Sequence, residues 1–255
     1  MNGNSQSHSS DDQFFTHDRH QPVHYPVYPE IDAKPDQGEF SKGSGTNHVW
    51  QAEVVLPEKH EPAYAYPVLI WLHGDGQNEA DGIAAIHRAS DQNMIGIALR
   101  GDTTVRGGYA WNADPLALAS FIEALILSLS VQHRIHTDRI FIGGYESGAN
   151  LALQLLLASP ATYCGAAVLC PRMKSLSLPA EMTRLSRGRK VLVASQLSGS
   201  PTHLIDLVEF DRQLEHLGLD VRSCYYQPTA RKLTQRMLRD VDHWMISTLS
   251  SAVGV

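Results

Sequence analysis

Short, wholly apolar runs alternate with amphipathic stretches along most of the chain, and this alternation predicts strands buried on both faces and linked by helices. The runs are Pro67 to Leu72 (PVLIWL), Met94 to Leu99 (MIGIAL), Arg139 to Gly143 (RIFIG), Ala166 to Leu169 and Lys190 to Ser195 (KVLVAS). His48 to Leu56 and Asp220 to Tyr226 are less uniformly apolar; the first reads as an edge strand and the second as a further strand. In the segment EADGIAAIHRAS, Ile83, Ile86 and Ala89 share one helical face, and from Pro115 to Val131 so do Leu118, Ile122, Leu125 and Leu129. Asp114 before Pro115 has the form of a helix cap followed by a first-turn proline. Further helices are predicted from about Gly148 to Ala158, His203 to Leu217 and Thr234 to Leu249, the last with Val241, Met245 and Leu249 on its buried stripe. The expected fold is α/β, a mostly parallel sheet with helices on both faces and the strand at Arg139 to Gly143 near its centre.

The first forty-five residues depart from this pattern. They are polar, carry four prolines and hold seven acids against three bases, so four of the six net negative charges fall there. Residues 1–45 therefore read as an acidic tail and 46–250 as one domain. His8, His17, His20 and His24 lie in the tail at irregular spacing with no cysteine among them, so no metal is expected. With a pI near 6.1 the chain has no electrostatic footprint for a phosphate backbone, and nucleic acid is not an expected partner. No apolar run is read as approaching the roughly 20 residues of a membrane span. The opening residues MNGNSQSHSSDDQ have neither the basic flank nor the apolar stretch of a cleaved signal. Cys164, Cys170 and Cys224 make an odd set without metal-ligand spacing, and a cytoplasmic setting is expected.

The segment that carries chemistry is RIFIGGYESGANLAL, Arg139 to Leu153: a strand, a turn with Gly144 and Gly148, and an apolar helix. That is the form of a nucleophile elbow, whose central residue is held in a strained conformation and projects over the helix amino terminus. The central residue is Glu146. Centring the turn on Ser147 would need glycines at positions that hold Tyr145 and Ala149.

From about Val54 to Trp244 the chain resembles the α/β-hydrolase superfamily, in particular its phospholipase/carboxylesterase/thioesterase branch. The elbow carries part of the resemblance. VLIWLHGDGQNE, Val68 to Glu79, resembles the branch's oxyanion loop, and LTQRMLRDVDHWMI, Leu233 to Ile246, resembles its terminal helix. The resemblance implies a carboxylic-ester or thioester hydrolase ancestry without a cofactor. It also implies an oxyanion site formed by His73, Gly74, Asp75, Gly76, Gln77 and the backbone of Ser147. Tyr109 and Trp111 would line the substrate pocket, although Trp111 reads equally as core.

The departures fall on the three catalytic positions together. Where the family has its serine stands Glu146; the loop Gln196 to Pro201 contains no carboxylate, and Asp206 comes too late; Arg231 stands where the family has histidine. Loss of such a unit costs on the order of 10⁶ in turnover. The leading expectation is thus a non-catalytic relative that binds a small-molecule ligand or a protein partner. The alternative is an active ester hydrolase using Ser147 or Glu146. Glu146 is expected to be ionised at the helix amino terminus. Its long arm is expected either to fold onto the oxyanion donors or to pair with Arg231. The hydroxyl of Ser147 reads as a helix cap, His73 as structural, His243 as a surface residue and His203 as a candidate pocket residue. Two basic clusters, Arg172 to Lys190 and Arg231 to Arg239, read as solvated surface.

Overall fold

The structure, a computed structural model, describes residues 50–90, 93–172, 184–197, 201–229 and 233–251. The expected tail, 1–45, and Arg231 lie outside these residues. Strands β1 (Ala52–Val55), β2 (Tyr66–Leu72), β3 (Ile95–Leu99), β6 (Ile135–Tyr145), β7 (Gly165–Leu169), β8 (Lys190–Gln196) and β9 (Asp220–Tyr226) form one seven-stranded sheet in the order β1-β3-β2-β6-β7-β8-β9. Every pairing is parallel except that of the edge strand β1 with β3. The helices are α1 (Glu79–Ala89), α2 (Pro115–Gln132), α3 (Ser147–Ala158), α4 (Pro201–His216) and α5 (Gln235–Ser251).

The apolar runs form strands because both faces of the sheet are covered. In β6 the alternation divides the side chains, with Ile140 and Ile142 entering the core under α2, α3 and α4 and Phe141 and Tyr145 entering the one under α1 and α5. The helical stripes read from the sequence are the buried ones: Ile83, Ile86 and Ala89 in α1, and Leu118, Ile122, Leu125 and Leu129 in α2. Asp114 accepts a hydrogen bond from the Ala117 N–H and so caps α2 ahead of Pro115. Asn78 and Asp81 form a reciprocal capping box on α1.

Three differences from the sequence reading have physical reasons. β6 begins at Ile135 rather than Arg139, because Ile135 pairs with Tyr66 ahead of a register shift and regular pairing with β2 resumes at Ile140. The segment after β3 contains a small hairpin, β4 (Thr103–Val105) with β5 (Gly108–Ala110), whose partly or fully exposed residues gave no burial pattern. Finally, α2 is 18 residues long with mean hydropathy 1.6, long and apolar enough by those two measures to cross a membrane. This corrects the expectation that no run approaches that length; seven of its residues are nevertheless buried against the protein core.

Ile70, fully buried in β2, should cost about 2–5 kcal/mol of unfolding free energy when changed to alanine. Leu127→Ala, at a residue 70% exposed on α2, should change it by less than about 0.5 kcal/mol in the same urea titration. Equal effects would contradict this layer assignment.

Candidate functional site

The turn from β6 into α3 is set by how closely its backbone lies against the end of β2. A methyl group on Gly148 would stand 2.2 Å from the Leu72 carbonyl oxygen and 2.4 Å from that of His73; on Gly144 it would stand 2.5 Å from the Gly148 backbone. With the turn fixed on both sides, Glu146 adopts φ 51° and ψ −112°. This conformation is uncommon for a residue with a side chain and costs on the order of 1–3 kcal/mol. The Glu146 N–H is anchored to the Leu169 carbonyl at 3.0 Å. The elbow read from the sequence is therefore present, with Glu146 at its apex.

The side chains around it form a charged chain across three loops. The Ser147 hydroxyl donates to Asp75 Oδ1 at 2.5 Å, and Arg172 Nη2 lies 2.7 Å from Asp75 Oδ2 and 3.9 Å from Glu146 Oε2. The side chain of Asn150, in the first turn of α3, brackets the Arg172 backbone, accepting from its N–H and donating to its carbonyl, both at 2.7 Å. The Arg172 side chain is half exposed, so its ion pair with Asp75 adds at most about 1 kcal/mol; its effect is to position.

Two expectations are corrected here. Glu146 makes no side-chain bond to the start of α3, so its arm does not fold onto the oxyanion donors. It reaches instead toward a cation, and among the described residues that cation is Arg172. Ser147 is the first residue of α3 and not its cap, a place that Glu146 takes, and its hydroxyl donates to Asp75.

In the loop Gly74 to Gln77, the Gly74 N–H donates to Gln77 Oε1 at 2.8 Å, the Gly76 N–H to Tyr109 O at 2.9 Å, and the Gln77 N–H to Gly74 O at 3.1 Å. The backbone N–H groups of Asp75 and Ser147 make no hydrogen bond among the described residues. Both N–H groups are therefore unengaged beside the elbow among the described residues.

Beside the elbow, at the carboxyl ends of β6, β7, β8 and β9, lies a cavity of about 550 Å³. This is where parallel sheets place their ligands. Tyr145, Glu146, Cys170, Pro171, Arg172 and His203 line it, together with Ser195, Gln196, Leu197, Pro228 and Thr229. Gln196 closes one wall by bonding the backbone and hydroxyl of Thr229. Cys170 is a second residue with positive φ, 48°, at the end of β7. Burial pushes its thiol pKa up and the nearby Glu146 charge adds to that, so the sulfur is not activated as a thiolate.

None of the described imidazoles is hydrogen-bonded to Ser147 or Glu146. His73 is fully buried. The Gly101 N–H donates to its Nε2 at 2.9 Å, so Nδ1 carries the proton and donates to Gly74 O at 2.8 Å. The ring is a strut between two loops, as the sequence reading favours, and Trp111 packs on it while donating from Nε1 to its carbonyl. His203 lines the cavity with Nε2 at 3.1 Å from Gln196 O, and His243 is exposed on α5. Tyr109 lies under Arg100, whose guanidinium pairs with Glu79; neither Tyr109 nor Trp111 lines this cavity, and Trp111 packs partly buried against the core. Sequence reasoning missed Arg172, Asn150 and Cys170 as site residues. The one signal for them was that Cys170 and Arg172 directly follow a buried strand, where parallel sheets build their sites.

No protein-family model matches the sequence, and no curated protein matches it. Among solved structures, a carboxylesterase from Mesorhizobium loti superposes with a TM-score of 0.62 at 21% identity, covering 79% of this chain and 96% of its own. A carboxylesterase from Bacillus cereus gives 0.60 at 18% over the same shares, and an esterase from Rhizomucor miehei 0.61 at 14% over 83% of each chain.

Two outcomes test this geometry. Because the φ of Glu146 suits glycine, Glu146→Gly should be more stable than Glu146→Ala by about 1 kcal/mol in chemical denaturation, even after glycine's entropic cost; the reverse order would mean that the elbow is relaxed. Burial holds the pKa of His73 below its ordinary 6.5. Stability should therefore be full above pH 6.5 and decline as pH falls through the folded value, since the unfolded chain takes up the proton first. His73→Gln should flatten that decline; an unchanged slope would show that His73 does not contribute to it.

Proposed function

We propose that this chain, which has the α/β-hydrolase fold, is a non-catalytic relative of carboxylic-ester hydrolases that binds a small molecule in the cavity beside its elbow. The observation that carries the reading is Glu146 at the strained apex, bordering the cavity where a hydrolase would hold an attacking hydroxyl. A carboxylate that attacked an ester would form an acyl anhydride, and a base is then needed to activate water for its release. No described histidine is within hydrogen-bond reach of Glu146, and His73 has both ring nitrogens engaged. The N–H groups of Asp75 and Ser147 can still receive a carbonyl oxygen, so the ability to bind an acyl compound outlasts the ability to cleave it. The three thiols are unbridged, which supports a reducing, cytoplasmic setting.

One observation favours a second reading, an ester or thioester hydrolase that uses Ser147. Its hydroxyl already donates to Asp75. One argument weighs against it: an aspartate is a weaker base than imidazole by about 2.6 pKa units in reference values.

The expected result with short p-nitrophenyl acyl esters is hydrolysis at the buffer rate for the unmodified protein, Ser147→Ala and Glu146→Ser alike. The last variant supplies the hydroxyl but no imidazole to activate it. Turnover well above buffer that is abolished by Ser147→Ala and by Asp75→Asn would overturn the proposal in favour of the Ser147 hydrolase.

A further inference from the structure

The hydrogen bonds around the cavity narrow the chemistry of what it holds. Gln196 and Thr229 are bonded to each other twice, the His203 Nε2 is placed on the Gln196 carbonyl, and the Arg172 guanidinium is held by Asp75 at 2.7 Å. Glu146 differs from these groups. Its carboxylate accepts no hydrogen bond from the described residues, its nearest described cation is 3.9 Å away, beyond hydrogen-bond length, and its side chain is 32% exposed. The cavity thus has a polar wall whose members bond one another and one carboxylate that lacks donors among the described residues. Beside Ser195, the residues Tyr145, Cys170, Pro171, Leu197 and Pro228 contribute apolar surface to the lining.

The balance of charge points the same way. Asp75 and Glu146 share the single guanidinium of Arg172, which leaves one negative charge uncompensated among the described residues at the elbow. An anionic ligand would be repelled by that excess, and a neutral hydroxyl would offer Glu146 one uncharged donor. A protonated amine offers several donors and the opposite charge, and hydrogen bonds between ions are roughly twice as strong as neutral ones. A cavity of about 550 Å³ is of the size that encloses a small organic molecule.

We infer that the cavity is a site for small organic ammonium compounds, with the amine on the Glu146 carboxylate and the hydrocarbon or aromatic body along the apolar wall. The inference rests on the reading of this cavity as a ligand site and adds the class of ligand.

The test compares n-hexylamine, n-hexanol and hexanoate, which differ in their head groups, by calorimetric titration of the full chain at neutral pH and low salt. The amine should bind at least about tenfold more tightly than either of the others. Glu146→Gln should reduce the amine to the level of the alcohol, and Leu127→Ala on the distant face of α2 should leave it unchanged. If Glu146→Gln does not fold, the salt dependence of the unmodified protein decides the matter: amine affinity should fall with ionic strength and hexanol affinity should not. Tightest binding by hexanoate, equal binding by all three, or amine affinity unaffected by Glu146→Gln or by salt would each overturn the inference. Failure here is distinguishable from failure of the non-catalytic reading. Ester turnover through Ser147 with the amine preference intact would remove only that reading, whereas absent turnover with no amine preference would remove only this inference.

Discussion

Close contact between two stretches of backbone governs this site. The α-carbon of Gly148 lies so near the carbonyls of Leu72 and His73 that no side chain fits there, and Gly144 is confined in the same way by Gly148 itself. The chain has to turn between these two points, and the residue between them takes a positive φ with its side chain projecting at the carboxyl ends of the strands. In a hydrolase that geometry presents an attacking hydroxyl to an acyl carbon. Here the same strained position is held by a carboxylate.

The neighbouring residues make sense around that substitution. His73 is neutral, buried and bonded at both ring nitrogens, so it stiffens the loop that follows β2 and holds it beside the elbow. Asp75 on that loop takes the Ser147 hydroxyl on one oxygen and Arg172 on the other, while Asn150 fixes the Arg172 backbone. The loops after β2 and β7 and the start of α3 are thereby joined without any imidazole. Such an arrangement holds a preformed cavity in place, and among the described residues no imidazole is bonded to the serine to relay its proton.

The fold was legible in the sequence wherever burial imposed a pattern. β2, β3, β7 and β8 are covered on both faces and appear as unbroken apolar runs, and α1 and α2 show their buried stripes at helical spacing. The β4–β5 hairpin was invisible because its residues are partly or fully exposed, and the polar start of β6 because pairing there does not depend on burial. The elbow was legible for a different reason: its glycines answer to a local steric demand that survives in the order of residues. The partners of Glu146 and Ser147 were not. Ser147 and Asp75 are 72 residues apart, and Arg172 meets Asp75 because of where β7 ends in the sheet. Only the tertiary arrangement brings them together, and a basic residue that reads as part of a solvated run becomes the cation beside the elbow.

The central claim, that the elbow turns an acid and not an activated alcohol toward the cavity, is tested most directly by the intact mass of the protein after exposure to an alkyl fluorophosphonate, which labels activated serines. The account expects the mass to remain that of the untreated chain. A stoichiometric phosphonyl adduct mapped to Ser147 would contradict it.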